Sequence, residues 1–208
     1  YGSFIAFVCL MIICAYSQGF YAPMFKRTWG WEAETYALWN AAVLLAVGPL
    51  TVNIAGWLSD KMYSKYNRKD APLLIVIFGA FILVPTGIAV PLMPTPELAM
   101  LVIAVNTFGI AATSATSVTA LLNITPGVIR AQTVALYYMV ISITGLLLGP
   151  FTVGWLSDNV FGNENLNYAC AAVPFIFGVL VLPWAKYTLK SYNNELIKIE
   201  NEDKIINA

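Results

Sequence analysis

The stretch Gly48-Pro49-Leu50-Thr51-Val52-Asn53-Ile54-Ala55-Gly56-Trp57-Leu58-Ser59-Asp60 has a second copy later in the chain, Gly149-Pro150-Phe151-Thr152-Val153-Gly154-Trp155-Leu156-Ser157-Asp158. Both copies hold Gly-Pro-x-Thr-Val and then the identical pentapeptide Gly-Trp-Leu-Ser-Asp. Each closes a run without Asp, Glu, Lys or Arg, Thr35 to Ser59 for the first and Ala131 to Ser157 for the second. A helix of about 20 largely apolar residues crosses a bilayer, so each run is long enough to be a membrane span.

Four more such runs complete the chain: Tyr1 to Phe25, Ala71 to Pro96, Leu98 to Ile129 and Asn165 to Ala185. They predict an all-α membrane protein with helices over about 2–25, 34–59, 72–92, 97–124, 129–157 and 166–187, forming one bundle over 1–190. The connections carry turn chemistry, in Lys26-Arg27-Thr28-Trp29-Gly30, the polar run Lys61 to Asp70, Pro94-Thr95-Pro96, Pro126-Gly127 and Asn163-Glu164-Asn165. Short links make sequential spans antiparallel neighbours. Pro49 and Pro150 each remove a backbone hydrogen bond at membrane depth, and bends are expected there. Residues 191–208 are polar and of mixed charge, which predicts a solvated tail.

Composition agrees with a bilayer as solvent. Apolar residues make up 59% of the 208 and charged residues 11%, against roughly 25% charged in soluble domains. Eleven basic and eleven acidic residues leave no net charge, which removes the electrostatic argument for a nucleic-acid partner. The absence of histidine excludes HExxH zinc chemistry and Ser-His dyads. Cys9, Cys14 and Cys170 sit in apolar runs without metal-ligand spacing and read as small buried hydrophobes. No cofactor is implied. The chain starts at Tyr1 without a basic head or a cleavage site, which reads as a fragment.

With six spans, both chain ends and the second and fourth connections share one side. Lys61, Lys65, Arg68, Lys69, Arg130, Lys186, Lys190, Lys198 and Lys204 fall there, against Lys26 and Arg27 opposite. The positive-inside rule therefore places both ends in the cytoplasm. The expected location is a bacterial inner membrane. The second span then runs inward and the fifth outward, so the two Gly-Trp-Leu-Ser-Asp copies face opposite sides. Three helices have been repeated upside down, the internal architecture of secondary transporters.

Gly56-Trp57-Leu58-Ser59-Asp60-Lys61 with Arg68-Lys69 resembles the cytoplasmic loop signature of the major facilitator superfamily, G-x-x-x-D-[RK]-x-G-R-[RK]. Tyr63 stands where its second glycine is expected, and extra residues precede Arg68. A second stretch, including Thr125-Pro126, Arg130-Ala131-Gln132, Ala135-Leu136-Tyr137, Gly145, Leu148-Gly149-Pro150 and Phe161-Gly162, is similar to the Spinster-like branch. The resemblance implies the carboxyl-terminal half of a twelve-helix fold, with an amino-terminal six-helix half as partner. It further implies alternating access, proton coupling through carboxylate and arginine residues of that other half, and a small organic or lipid-like substrate.

No ionisable group lies deep in a span, so this half is expected to supply shape and neutral contacts. Helical spacing puts Asn106, Thr113, Thr116 and Ser117 on one face of the fourth span, with Gly109 among them. Phe7, Met11, Cys14, Gln18, Tyr21 and Phe25 share a face of the first. Asn106 and Gln18 carry amides that need partners in hydrocarbon. On the fifth span Tyr138 and Ser142 align with Gly145 and Gly149. The substrate-cavity candidates are Gln18, Tyr21, Asn106, Thr113, Ser117, Tyr138 and Ser142; plain helix packing, with hydroxyls returned to their own backbone, is the alternative for each. Gly145, Gly149, Pro150 and Gly154 read as packing positions. Gly56, Asp60, Lys61, Arg68 and Lys69 form the gating motif. The expected function is secondary transport by alternating access. The rival is a six-helix scaffold or self-assembling half without transport of its own, and an intramembrane enzyme lacks the residues it would need.

Overall fold

A computed structural model describes residues 1–206, side chains at 163, 182, 200 and 202–206 excepted. The described residues form helices α1 (Gly2–Tyr16), α2 (Tyr21–Trp29), α3 (Ala33–Tyr66), α4 (Ala71–Ala89), α5 (Pro96–Asn123), α6 (Arg130–Leu156) and α7 (Leu166–Ile206). Five units are long and apolar enough to cross a membrane: Gly2–Trp29, Ala33–Tyr66, Ala71–Leu92, Pro96–Asn123 and Gly127–Phe161. The sixth meets the same test as two arms, Leu166–Val181 and Pro183–Ile199, inclined at 40°.

Local chemistry sets the ends. Thr95 accepts a hydrogen bond from the Leu98 N–H at 3.4 Å, with Pro96 in the first turn, and so opens α5. Gly30 at φ 71° closes α2, the left-handed cap that favours glycine. Asn67, also left-handed at φ 49°, closes α3.

The first span is broken where an unbroken helix was expected. Residues Ser17–Phe20 tighten into a 3-10 turn between α1 and α2. Pro23 explains the position: its missing N–H would have bonded the Gly19 carbonyl, and its ring crowds that oxygen. By contrast α3 runs without interruption through Pro49 and α6 through Pro150. Asn53 Nδ2 donates to the Pro49 carbonyl at 2.7 Å. A further interruption is a π turn over Ser157–Phe161, at the end of the second repeat copy.

Packing follows the repeat. α1 lies on α6 as α5 lies on α3, α1 on α7 as α5 on α4, and α4 meets α7 across the pseudo-symmetry. Gly-Trp-Leu-Ser-Asp keeps most of its pattern in both copies, with Ser59 and Ser157 buried and Trp57 and Trp155 exposed. Thr51 and Thr152 each donate to the carbonyl four residues back, Val47 at 2.7 Å and Leu148 at 2.5 Å.

The tail departs from expectation. Helix α7 continues to Ile206, and over residues 188–199 one side of it is docked on the bundle rather than solvated. Tyr192 is buried and its hydroxyl donates to the Ala120 carbonyl at 2.8 Å. Leu189, Leu196 and Ile199 pack against the core cluster that includes Leu121 and Ile124. The physical reason is the end of α5, whose last carbonyls lack partners within their own helix. Tyr192 takes one, and the Tyr1 hydroxyl takes that of Ile124 at 2.5 Å. Asn207, Ala208 and the Lys204 side chain lie outside the described residues. Tyr192→Phe is expected to weaken this docking by about 1 kcal/mol, the net worth of one hydrogen bond. Limited proteolysis beyond residue 186 measures it, and an unchanged cleavage rate refutes the capping role.

Candidate substrate cleft

A cleft of about 690 Å³ opens between the two triplets. Its walls are Met11, Ile12, Ala15, Tyr16, Gln18 and Gly19 of the first span, Leu44, Gly48 and Val52 of α3, Thr107, Thr113, Ser114 and Ser117 of α5, and Tyr137, Tyr138, Leu146 and Pro150 of α6. Both members of each repeated pair, α1 with α5 and α3 with α6, contribute. Among the described lining residues there is no Asp, Glu, Lys or Arg.

Four of the seven cavity candidates line the cleft: Gln18, Thr113, Ser117 and Tyr138. Two of the hydroxyls are partly occupied. Thr113 Oγ1 donates to the Gly109 carbonyl at 2.9 Å and Ser117 Oγ to that of Ser114 at 3.2 Å, the backbone return that is common for such residues in helices. Tyr138 is half exposed and stacks edge-on against Tyr137, ring centroids 5.4 Å apart.

The other three stand elsewhere. Tyr21 is fully buried in an apolar cluster with Met24, Ile103 and Val173, its hydroxyl 3.5 Å from the Gly87 carbonyl. Ser142 is half-buried on α6 outside the cleft wall. Asn106 is buried behind the wall, where Nδ2 donates to the Leu83 carbonyl at 3.0 Å and to Thr86 Oγ1 at 2.7 Å, and Oδ1 accepts from Gln18 Nε2. The first span, α5 and α4 are thereby tied by one polar chain at membrane depth. Leu83 and Thr86 were not singled out by sequence. The spacing of Thr86 on the same helix as Gly79 and Gly87 carries no signal of a partner on α5.

Close packing accounts for two of the glycines. A Cβ on Gly149 would come within 2.9 Å of Tyr16 Cβ and 3.2 Å of the Ile13 carbonyl oxygen, and one on Gly145 within 2.9 Å of the Tyr16 ring. Pro150 lines the cleft. Gly154 stands at ordinary contact distance from Phe20.

At the end of α3 the motif residues are mostly exposed. Asp60 is open to the surroundings and Lys61 Nζ sits 4.4 Å above the Trp57 ring. Arg68 makes a two-pronged ion pair with the buried Asp70, Nε to Oδ1 at 3.0 Å and Nη2 to Oδ2 at 2.8 Å. That pairing holds the guanidinium charged, raising its pKa above the ordinary value through the Asp70 hydrogen bond and charge. In the sequence Asp70 is only the end of a polar loop, and its role as anchor of Arg68 emerges from the fold. The Lys69 carbonyl accepts from Asn123 at 3.4 Å, which ties the loop to the end of α5. Among the described residues no cluster of three or more His, Cys, Asp or Glu is placed to hold a metal.

Inverted helix triplets around a neutral cleft at membrane depth define an integral membrane protein of the transporter class. The chain belongs to the major facilitator superfamily, whose family model matches residues 3–204. Its fold is similar to that of a bacterial homologue of the human lysosomal transporter Spinster, solved inward-facing. Against the unoccupied form the TM-score is 0.67, and against the occupied form 0.63, each at 19% identity over 93% of this chain. The chain spans 48% of that structure's length. No curated protein sequence matches.

Proposed function

We propose that this chain is one half of a secondary active transporter that works by alternating access, the cleft between its triplets being part of the substrate pathway. The cleft carries the reading: it takes its walls from both members of each repeated pair, α1 with α5 and α3 with α6, and has a volume within the roughly 300–1,000 Å³ of small-molecule sites. Its lining of apolar, methionine, tyrosine and amide side chains suits an amphipathic, lipid-like or small organic substrate. Gln18, Thr113, Ser117 and Tyr138 make the polar contacts, and proton coupling resides in charged groups of the other half.

The partner surface in this reading is α3 with α6. Of the 34 residues of α3 only Tyr36, Thr51, Ala55 and Ser59 are buried; Leu45, Leu50 and Trp57 of α3 stand exposed, as do Leu147, Phe151 and Trp155 of α6. The basic excess near Lys61, Arg68, Arg130 and Lys186 supports an orientation with both chain ends cytoplasmic, in a bacterial inner membrane. Liposomes holding the twelve-helix protein should take up lysophospholipids or small organic anions, tested side by side, and a proton gradient should drive it. Uptake indistinguishable from empty liposomes for both classes would refute transport.

A further inference from the structure

We infer that Gln18 is a hydrogen-bond acceptor site for the donor group of a bound ligand, with Asn106 and Thr86 as positioning residues that fix its polarity. The inference rests on the cleft being the substrate pathway and adds what that pathway selects.

The polarity follows from obligatory chemistry. The Leu83 and Ile82 carbonyl oxygens accept and never donate. Thr86 Oγ1 gives its proton to Ile82 at 2.6 Å, so its oxygen faces Asn106 as an acceptor. Asn106 meets two acceptors, Leu83 and Thr86, and must present its NH2 to both. Its Oδ1 is then the atom turned to Gln18, which must answer with Nε2. A carboxamide whose nitrogen is committed leaves its carbonyl. Among the described residues Oε1 of Gln18 has no hydrogen-bond partner, although Gln18 is half-buried and lines the cleft. The neighbouring Gly19 offers no side chain to cover it.

A free amide of this kind can rotate and serve donor or acceptor ligands alike. The relay removes that freedom. The subsite therefore prefers a neutral ligand group that donates, such as a hydroxyl, amine or amide N–H, over the same ligand without its proton.

The test uses 1-decanol and decyl methyl ether, which share a chain and differ in the donor. The twelve-helix protein carrying Ser114→Cys in the cleft wall is reconstituted and alkylated with a maleimide, with the rate read over a control lacking that cysteine and probe concentrations expressed in the lipid phase. Decanol should protect the cysteine at about three- to tenfold lower concentration than the ether, the worth of one net hydrogen bond. Gln18→Met, similar in volume, should erase the preference. Asn106→Leu, and the milder Thr86→Val, should shrink it while both probes still protect; a purely structural role would weaken protection by both probes alike. Equal protection by the two probes in the parent, or an undiminished preference in Gln18→Met, overturns the acceptor site and leaves the cleft reading intact. Protection by neither probe overturns the cleft reading together with it.

Discussion

Alanine at Gly79 lowers the thermal unfolding midpoint of the detergent-solubilised protein, while alanine at Gly56 raises it slightly; this is the expected outcome of two identical substitutions in two helices. At Gly79 a Cβ would lie 2.2 Å from Thr113 Oγ1 and 2.7 Å from the Gly109 carbonyl oxygen. The threonine can rotate away, but the carbonyl belongs to the backbone of α5. Helices α4 and α5 must therefore separate along a contact that Gly109 reciprocates, its own Cβ position standing 2.9 Å from the Gly79 carbonyl oxygen. Overpacking of this kind costs about 1–3 kcal/mol, more than the roughly 0.5–1 kcal/mol that alanine gains over glycine within a helix. At Gly56 nothing lies within 4 Å of the added carbon. Equal midpoints for the two variants would show that α4 and α5 do not pack as closely as described.

The second large effect belongs to Asp60, in the twelve-helix protein. Pro49, Asn53, Gly56 and Asp60 share one exposed or half-exposed face of α3, and the bare surface at Gly56 admits another helix. In the proposed twelve-helix protein a carboxylate one turn further along would meet the positive end of that helix when the mouth on this side is closed. Such a contact is worth about 0.3–1 kcal/mol, and up to about 2 kcal/mol when partly buried. For a transporter whose two states are nearly balanced, about 1.4 kcal/mol moves their ratio tenfold. Asp60→Asn is expected to keep expression, favour the state open on the side of Asp60 and slow turnover. Single cysteines at the two mouths, labelled alongside uptake, report the ratio. Parental labelling together with parental uptake would remove Asp60 from the gate.

Much of the fold is legible in the chain because the properties that define a span are local. Length without charge marks the six apolar runs, and the observed helices begin within a few residues of the expected starts. The repeated Gly-Pro-x-Thr-Val and Gly-Trp-Leu-Ser-Asp fix which helices correspond, and the packing of α1 on α6 and of α5 on α3 follows that correspondence. The break at Ser17–Phe20 has a local cause as well. Pro23 stands four residues after Gly19, whereas Pro49 and Pro150 leave their helices continuous.

The site is different in kind. Gln18 and Asn106 are 88 residues apart, and each alone is only an amide in need of a partner. Composition and periodicity place Gln18, Tyr21 and Asn106 on inward faces without saying which meets solvent, ligand or another side chain. Tertiary packing decided that Tyr21 fills an apolar cluster, that Asn106 stands behind the wall, and that Gln18 alone of the three reaches the cleft. The tail was decided the same way. Its polar composition suggests solvation, yet the open carbonyls at the end of α5 give Tyr192 a partner 72 residues away. Burial in hydrocarbon is set by a residue's own helix and can be read along the chain; the pairing of polar groups depends on which helix faces meet, and only the folded bundle fixes that.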